Sequence, residues 1–175
     1  MSIHLIIDGY NLIRRSPSLR ILDNQDLEAG REELIRRLSL YRQAKPFPIT
    51  VIFDGSNRAN PSDPKKVERG VRVIFSRMGQ KADDVIIQIA RETREGAMVV
   101  TSDRRLQIEA ERYHATVIAS EDFEQKMEMV FRVSQKGIDS DDSDQGPEIK
   151  GTQKKGPSRR LPRKLRKARK RVEKL

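Results

Sequence analysis

The chain has no cysteine, no tryptophan and only two histidines in 175 residues. Without cysteine there is no disulfide framework and no zinc–thiolate site, which suits a reducing compartment. His4 falls inside an apolar run and His114 at a helix end, so both are read as structural rather than catalytic. No apolar stretch approaches the roughly 20 residues that a membrane helix needs. The apolar start IHLII is too short for a signal peptide and runs straight into an acid. These absences predict a soluble, cytoplasmic protein with no membrane partner.

Charge is present in abundance and unevenly placed. Residues 151–175 hold 12 Lys/Arg and one acid, Glu173, while the remaining residues hold 24 basic and 25 acidic side chains. The whole net charge of +10 therefore comes from the end of the sequence. Such a separation predicts a near-neutral globular domain carrying a polyanion-binding arm.

Strand-like and helix-like stretches alternate. The runs 3–7 (IHLII), 49–53 (ITVIF), 71–75 (VRVIF), 97–101 (AMVVT) and 115–119 (ATVIA) read as five strands. Helices are expected from Asp26 to Gln43, from Asp83 to Arg94 with Gly96 as its C-cap, from Asp103 to Tyr113, and onward from Ser120. Phe123, Met127, Val130 and Phe131 make the inward stripe of the last one. Short β-branched strands joined through helices imply βαβ crossovers. The fold class is thus α/β: a three-layer α/β/α domain over residues 1–133 around a mainly parallel five-stranded sheet.

Residues 134–158 lack aromatics and periodicity and read as a disordered linker, acidic first and basic afterwards. Residues 159–175 form a basic, helix-capable tail in which Leu161, Leu165, Ala168, Val172 and Leu175 make one thin apolar stripe. Its cations are candidates for RNA phosphate contacts: Lys154, Lys155, Arg159 and Arg160 before the stripe, then Arg163, Lys164, Arg166, Lys167, Arg169, Lys170 and Arg171 within it. Folding of this arm on RNA is expected. A membrane surface suits it less, because the stripe is thin and lacks Trp and Phe.

The chemistry lies in the acids. Asp8, Asp54 and Asp103 follow apolar strands, and Asp83–Asp84 open a helix. Each alone is an ordinary turn or cap residue. Together they are harder to explain that way, since parallel strands bring their C-termini to one edge. Carboxylates about 4 Å apart repel by about 4 kcal/mol at an effective dielectric near 20, so a cluster calls for a cation. Hard oxygen donors without histidine or thiolate suit Mg²⁺ or Mn²⁺. Asn11, three residues beyond Asp8, is placed to orient that acid or a bound water.

The strings IIDGYNLI, VIFDG, ADD and TSD, in this order, resemble the NYN domains, relatives of the PIN nucleases, and within them the bacterial YacP-like group. The likeness covers about residues 3–133. It implies a PIN-like fold, a carboxylate-bound divalent cation and endonucleolytic cleavage of single-stranded RNA to 5′-phosphate and 3′-hydroxyl ends. It further implies messenger RNA on the ribosome as substrate. Asp8, Asp83, Asp84 and Asp103 match the family's acids, Asn11 its asparagine, and Asp54 the acid after the second strand, where it can act through water. Arg104 and Arg105, beside the acidic edge, are candidate RNA contacts. The alternative is a non-catalytic RNA- or ribosome-binding factor that keeps the fold. A receiver domain wants two acids after its first strand, and a haloacid-dehalogenase-type phosphatase wants Asp-x-Asp; Asp8-Gly9-Tyr10 offers neither.

Overall fold

The structure is a computed structural model that describes residues 3–55, 65–136 and 163–175. The chain runs β1 (His4–Asp8), α1 (Gly9–Arg15), α2 (Pro17–Gln25), α3 (Leu27–Ala44), β2 (Ile49–Phe53), β3 (Lys65–Glu68), β4 (Val71–Phe75), α4 (Ala82–Thr93), β5 (Ala97–Val100), α5 (Arg104–Arg112), β6 (Thr116–Ile118), α6 (Ser120–Lys136) and α7 (Arg163–Val172). The strands form one sheet in the order β3-β4-β2-β1-β5-β6. All neighbours are parallel except β3, which is antiparallel to β4. The α/β architecture expected from the sequence is present.

Helices cover both faces of the sheet because alternate side chains of each strand point to opposite layers. Leu5 and Ile7 of β1 join one core with Leu12, Leu34, Leu38, Tyr41 and Phe123. Ile6, between them, joins the other core with Ile86, Ala90, Leu106 and Ala110. Strand β2 is buried along its whole length, as a central parallel strand must be.

The sheet has six strands, not five. The added strand, β3, lies between the second and third expected strands, where KKVE is charged and exposed and carries no apolar alternation. It is an edge strand, and its lysines discourage pairing with other chains. A two-residue turn joins it to β4, with Arg69 at φ 50° and Gly70 at φ 80°. Positive φ at both central positions is the hairpin geometry that matches strand twist.

Three helix boundaries depart from expectation. Residues 9–25, left unassigned by the sequence reading, form α1 and α2. Ser16 ends the first and caps the second through Leu19 N, with Pro17 at the first helical position. Helix α4 begins after Lys81, so Asp83 is not its cap. It ends in a short 3₁₀ turn, Arg94–Gly96, where Arg94 rather than Gly96 takes the left-handed conformation.

The basic tail also differs from a free arm. Helix α7 lies against the domain. Leu175 is buried in the core and Val172 packs on it, so the C-terminal end of the thin apolar stripe finds a partner within the chain while Leu165 stays exposed. Residues 134–136 of the expected linker are the end of α6, and the rest of it, with Lys154, Lys155, Arg159 and Arg160, lies outside the described residues. Among the described residues, no helix is long and apolar enough to cross a membrane.

Candidate active site

Asp8 ends β1 and starts α1. Its Oδ1 accepts a hydrogen bond from the Asn11 backbone N–H at 3.3 Å, the N-cap geometry that turns strand into helix. Its Oδ2 accepts from the Thr101 hydroxyl at 3.1 Å. Thr101 directly follows the neighbouring β5, so the order of the strands brings it beside Asp8. The same hydroxyl oxygen accepts from Asp103 N at 3.1 Å, which fixes the turn that carries the next acid.

Burial pushes the Asp8 carboxyl up to about 6 from an ordinary 3.8. The two hydrogen bonds oppose that rise, while the charges of Asp83 and Asp103 add to it. Asp83 is likewise held above its ordinary value, first by burial and then by Asp103 and Asp84. These electrostatics are those of carboxylates that crowd one another with too little water.

An open cleft of about 700 Å³ is lined by Asp8, Asn11, Asp54, Asp83 and Asp103. The structure therefore brings four of the five sequence-predicted acids to one place. Asp103 also caps α5, with Oδ1 accepting from Arg105 N and Leu106 N at 2.8 and 3.1 Å. Asp84 does not line the cleft. Its Oδ2 accepts from Lys81 N at 3.3 Å, the reach-back of a capping residue on the third helical position.

Asn11 works through its side chain as a brace. Oδ1 accepts from Ser102 N at 2.9 Å and from the Ser120 hydroxyl at 2.8 Å. Ser102 in turn accepts from Ser120 N at 3.0 Å and bonds Glu121, which pairs with Arg15 at 3.3 Å. Asn11 thus orients Asp8 through its own backbone and pins the two loops that precede α5 and α6 through its amide.

Cations that the sequence reading passed over stand on the walls. Arg14, Arg15 and Lys81 line the cleft. Arg14 is centred 5.9 Å above the Tyr10 ring, a cation–π distance. Arg14 and Arg15 follow Asn11 at three and four residues, the spacing of one helix face. That signal was readable only once Gly9–Arg15 is taken as a helix. Arg104 and Arg105 are exposed on the first turn of α5 and are not among the residues lining the cleft.

The donor set is all hard oxygen, which fits Mg²⁺ or Mn²⁺. Among the described residues, no three acidic or histidine side chains converge closely enough to form a ready-made metal cage. Mg²⁺ keeps several waters and is commonly held by only one or two carboxylates. A half-buried Asp8 sharing an open cleft with Asp83 and Asp103 fits such a hydrated ion.

Comparison with known proteins agrees with this architecture. The YacP-like NYN domain matches over residues 5–172. The Bacillus subtilis (strain 168) "Uncharacterized protein YacP" is 30% identical over 87 residues, 50% of this chain and 51% of the relative. The matched stretch thus spans about half the length of that curated relative. The crystal structure of Rae1 (YacP) from Bacillus subtilis has a TM-score of 0.67 at 26% identity, covering 79% of this chain and 80% of that chain. A mutant form of the same protein gives a TM-score of 0.67 at 24% identity over 78% and 82%. With its six-stranded, mainly parallel sheet and its match over nearly the whole sequence, the chain belongs to the YacP-like NYN domain family.

Proposed function

We propose that the protein is a Mg²⁺- or Mn²⁺-dependent endoribonuclease of the cytoplasm, cutting single-stranded RNA, with messenger RNA on the ribosome as its substrate. The observation that carries this reading is the Asp8 carboxyl, half-buried, raised to about 6 and sharing its cleft with Asp83 and Asp103. A domain with only structural needs gains nothing from repelling acids at the ends of adjacent strands, whereas a cation relieves that repulsion.

Asp8, Asp83 and Asp103 would hold the ion, and Asp54 would contact it through water. When bound, the ion supplies charge neutralisation at the phosphate and a more acidic water. The chain's own residues do the positioning. Asn11 and Thr101 fix Asp8, and the Asp103 cap fixes the opposite wall. Arg14 and Lys81 flank the acids and offer positive charge to the phosphates on either side of the bond to be cut.

The alternative is a non-catalytic RNA- or ribosome-binding factor, favoured by the lack of a closed carboxylate cage among the described residues. Incubating purified protein and Asp8→Asn with a defined RNA, with Mn²⁺ or EDTA and with or without translating ribosomes, separates the two. Cleavage by the wild type alone, with Mn²⁺ alone, supports the nuclease. RNA left intact under every condition sinks it.

A further inference from the structure

The acids sit at the C-terminal ends of the strands, and α7 is anchored at the N-terminal ends. Arg171 Nη1 donates to Thr116 Oγ1 at the first residue of β6, at 3.2 Å. Lys167 and Arg171 reach Glu95, just ahead of β5, at 3.6 and 3.7 Å. Lys45, just ahead of β2, donates through Nζ to the Lys174 carbonyl at 3.0 Å. The Tyr41 hydroxyl, near the end of α3, donates to the Leu175 carbonyl at 2.7 Å.

Docking sorts the cations of α7 into two groups. Lys167 and Arg171 are drawn to Glu95, and Arg169 pairs with Glu173 at 3.1 Å. Arg166 and Lys170 are exposed and have no carboxylate partner among the described residues. Four residues apart, they repeat at about 6 Å along the helix axis on one face. The same end of the domain carries Arg42, whose guanidinium lies against Gly70, and Arg72, which lines a hollow with it.

We propose that this edge, led by Arg166 and Lys170, docks the phosphates of double-helical RNA, a ligand separate from the strand that enters the cleft. A row of cations on a helix held rigidly by the core suits phosphates that a duplex holds at fixed spacing. A lipid surface suits it less, because Val172 and Leu175 are spent on the core and leave Leu165 as the one large apolar side chain of α7 exposed among the described residues. Since α7 and Asp8 lie at opposite ends of the strands, the edge grips one segment of RNA while the cleft takes another. The proposal goes beyond the nuclease reading and does not depend on cleavage.

The test uses the full chain and a nuclease-resistant 2′-O-methyl RNA hairpin in EDTA, with affinity measured by fluorescence anisotropy across a salt series. The double variant Arg166→Gln/Lys170→Gln is expected to bind the hairpin at least tenfold more weakly. Its log–log salt slope should be shallower by about 0.9 for each phosphate that the variant no longer neutralises. Asp8→Asn should bind the hairpin as the wild type does, which places the duplex outside the cleft. Both substitutions of the double variant are at exposed sites, and matching circular dichroism and Tm confirm its fold. Unchanged hairpin affinity in the double variant overturns the proposal. So does a loss of hairpin binding in Asp8→Asn, or binding to phosphatidylglycerol vesicles but not to the hairpin. If the protein cuts no RNA at all, the hairpin titration still decides this question alone.

Discussion

Asn11 Oδ1 stands 2.8 Å from the Ser120 hydroxyl, joining α1 to the first residue of α6 across 109 positions of sequence. With the Ser102 amide at 2.9 Å as its second donor, this one oxygen holds together the two loops that border Asp8. Asn11→Ala should therefore lower stability by about 1–3 kcal/mol in urea unfolding, since partly buried donors lose their acceptor. Ser120→Ala removes one of the two bonds and should cost about 1 kcal/mol. Cleavage should fall further in Asn11→Ala than the loss of folded protein explains. Equal losses of activity and folded fraction would assign Asn11 to stability alone.

The raised Asp8 carboxyl makes a pH prediction for the metal-free protein. Its value is about 6 in the fold against 3.8 ordinarily, so the native state binds this proton more tightly than the unfolded chain does. The stabilisation is full below about pH 3.8 and is lost as pH rises through about 6. The amount is on the order of 3 kcal/mol. Asp8→Asn should remove this component, so the stability difference between variant and wild type should change across that window. Denaturant unfolding in EDTA at pH 4 to 7 reads it, and parallel curves would refute it. At pH 7, Mn²⁺ should raise the Tm of the wild type more than that of Asp8→Asn, by mass action on the native state.

Asp83 and Asp84 are neighbours with opposite assignments. Asp83→Asn should abolish most RNA cleavage while leaving the fold intact, because its side chain lines the cleft. Asp84→Asn should keep most activity, since that carboxylate serves the backbone of Lys81 at 3.3 Å. The expected cost is a cap weakened by at most about 1 kcal/mol. A reversed order of activities would overturn the assignment.

Gly9 has no room for a side chain. A Cβ there would lie 2.3 Å from a ring carbon of Phe53 and 2.9 Å from the Ile52 carbonyl. Gly9→Ala should destabilise by about 1–3 kcal/mol through overpacking. It should also reduce activity, because the turn it distorts carries Asp8. Thermal unfolding alongside cleavage reads both. An unaltered Tm would show that Phe53 moves aside without cost.

The parallel strands and the strand-end acids were legible because burial on both faces leaves a dense β-branched signature, and because sheet topology converges the C-termini. Helices α1 and α2 were not, since Ser16 and Pro17 end one short helix and begin the next, which leaves neither a long apolar period. With α1 hidden, Arg14 and Arg15 could not be placed beside Asn11. Strand β3 was hidden by its edge position, which selects for lysine instead of apolar alternation. The stripe from Leu165 to Leu175 announced a helix but not its partner. Where Leu175 docks depends on Tyr41, far away in sequence, and no local pattern carries that information. The role of Asn11 was half legible: its distance from Asp8 is local, but its bonds to Ser102 and Ser120 exist only in the folded sheet.

Arg166 and Lys170 stand on a helix that is tied to the core through Val172 and Leu175. Their spacing is therefore fixed before any ligand arrives, and a polyanion that meets them has no backbone to order. Raising the salt concentration weakens such an attraction before it disturbs any hydrogen bond of the site.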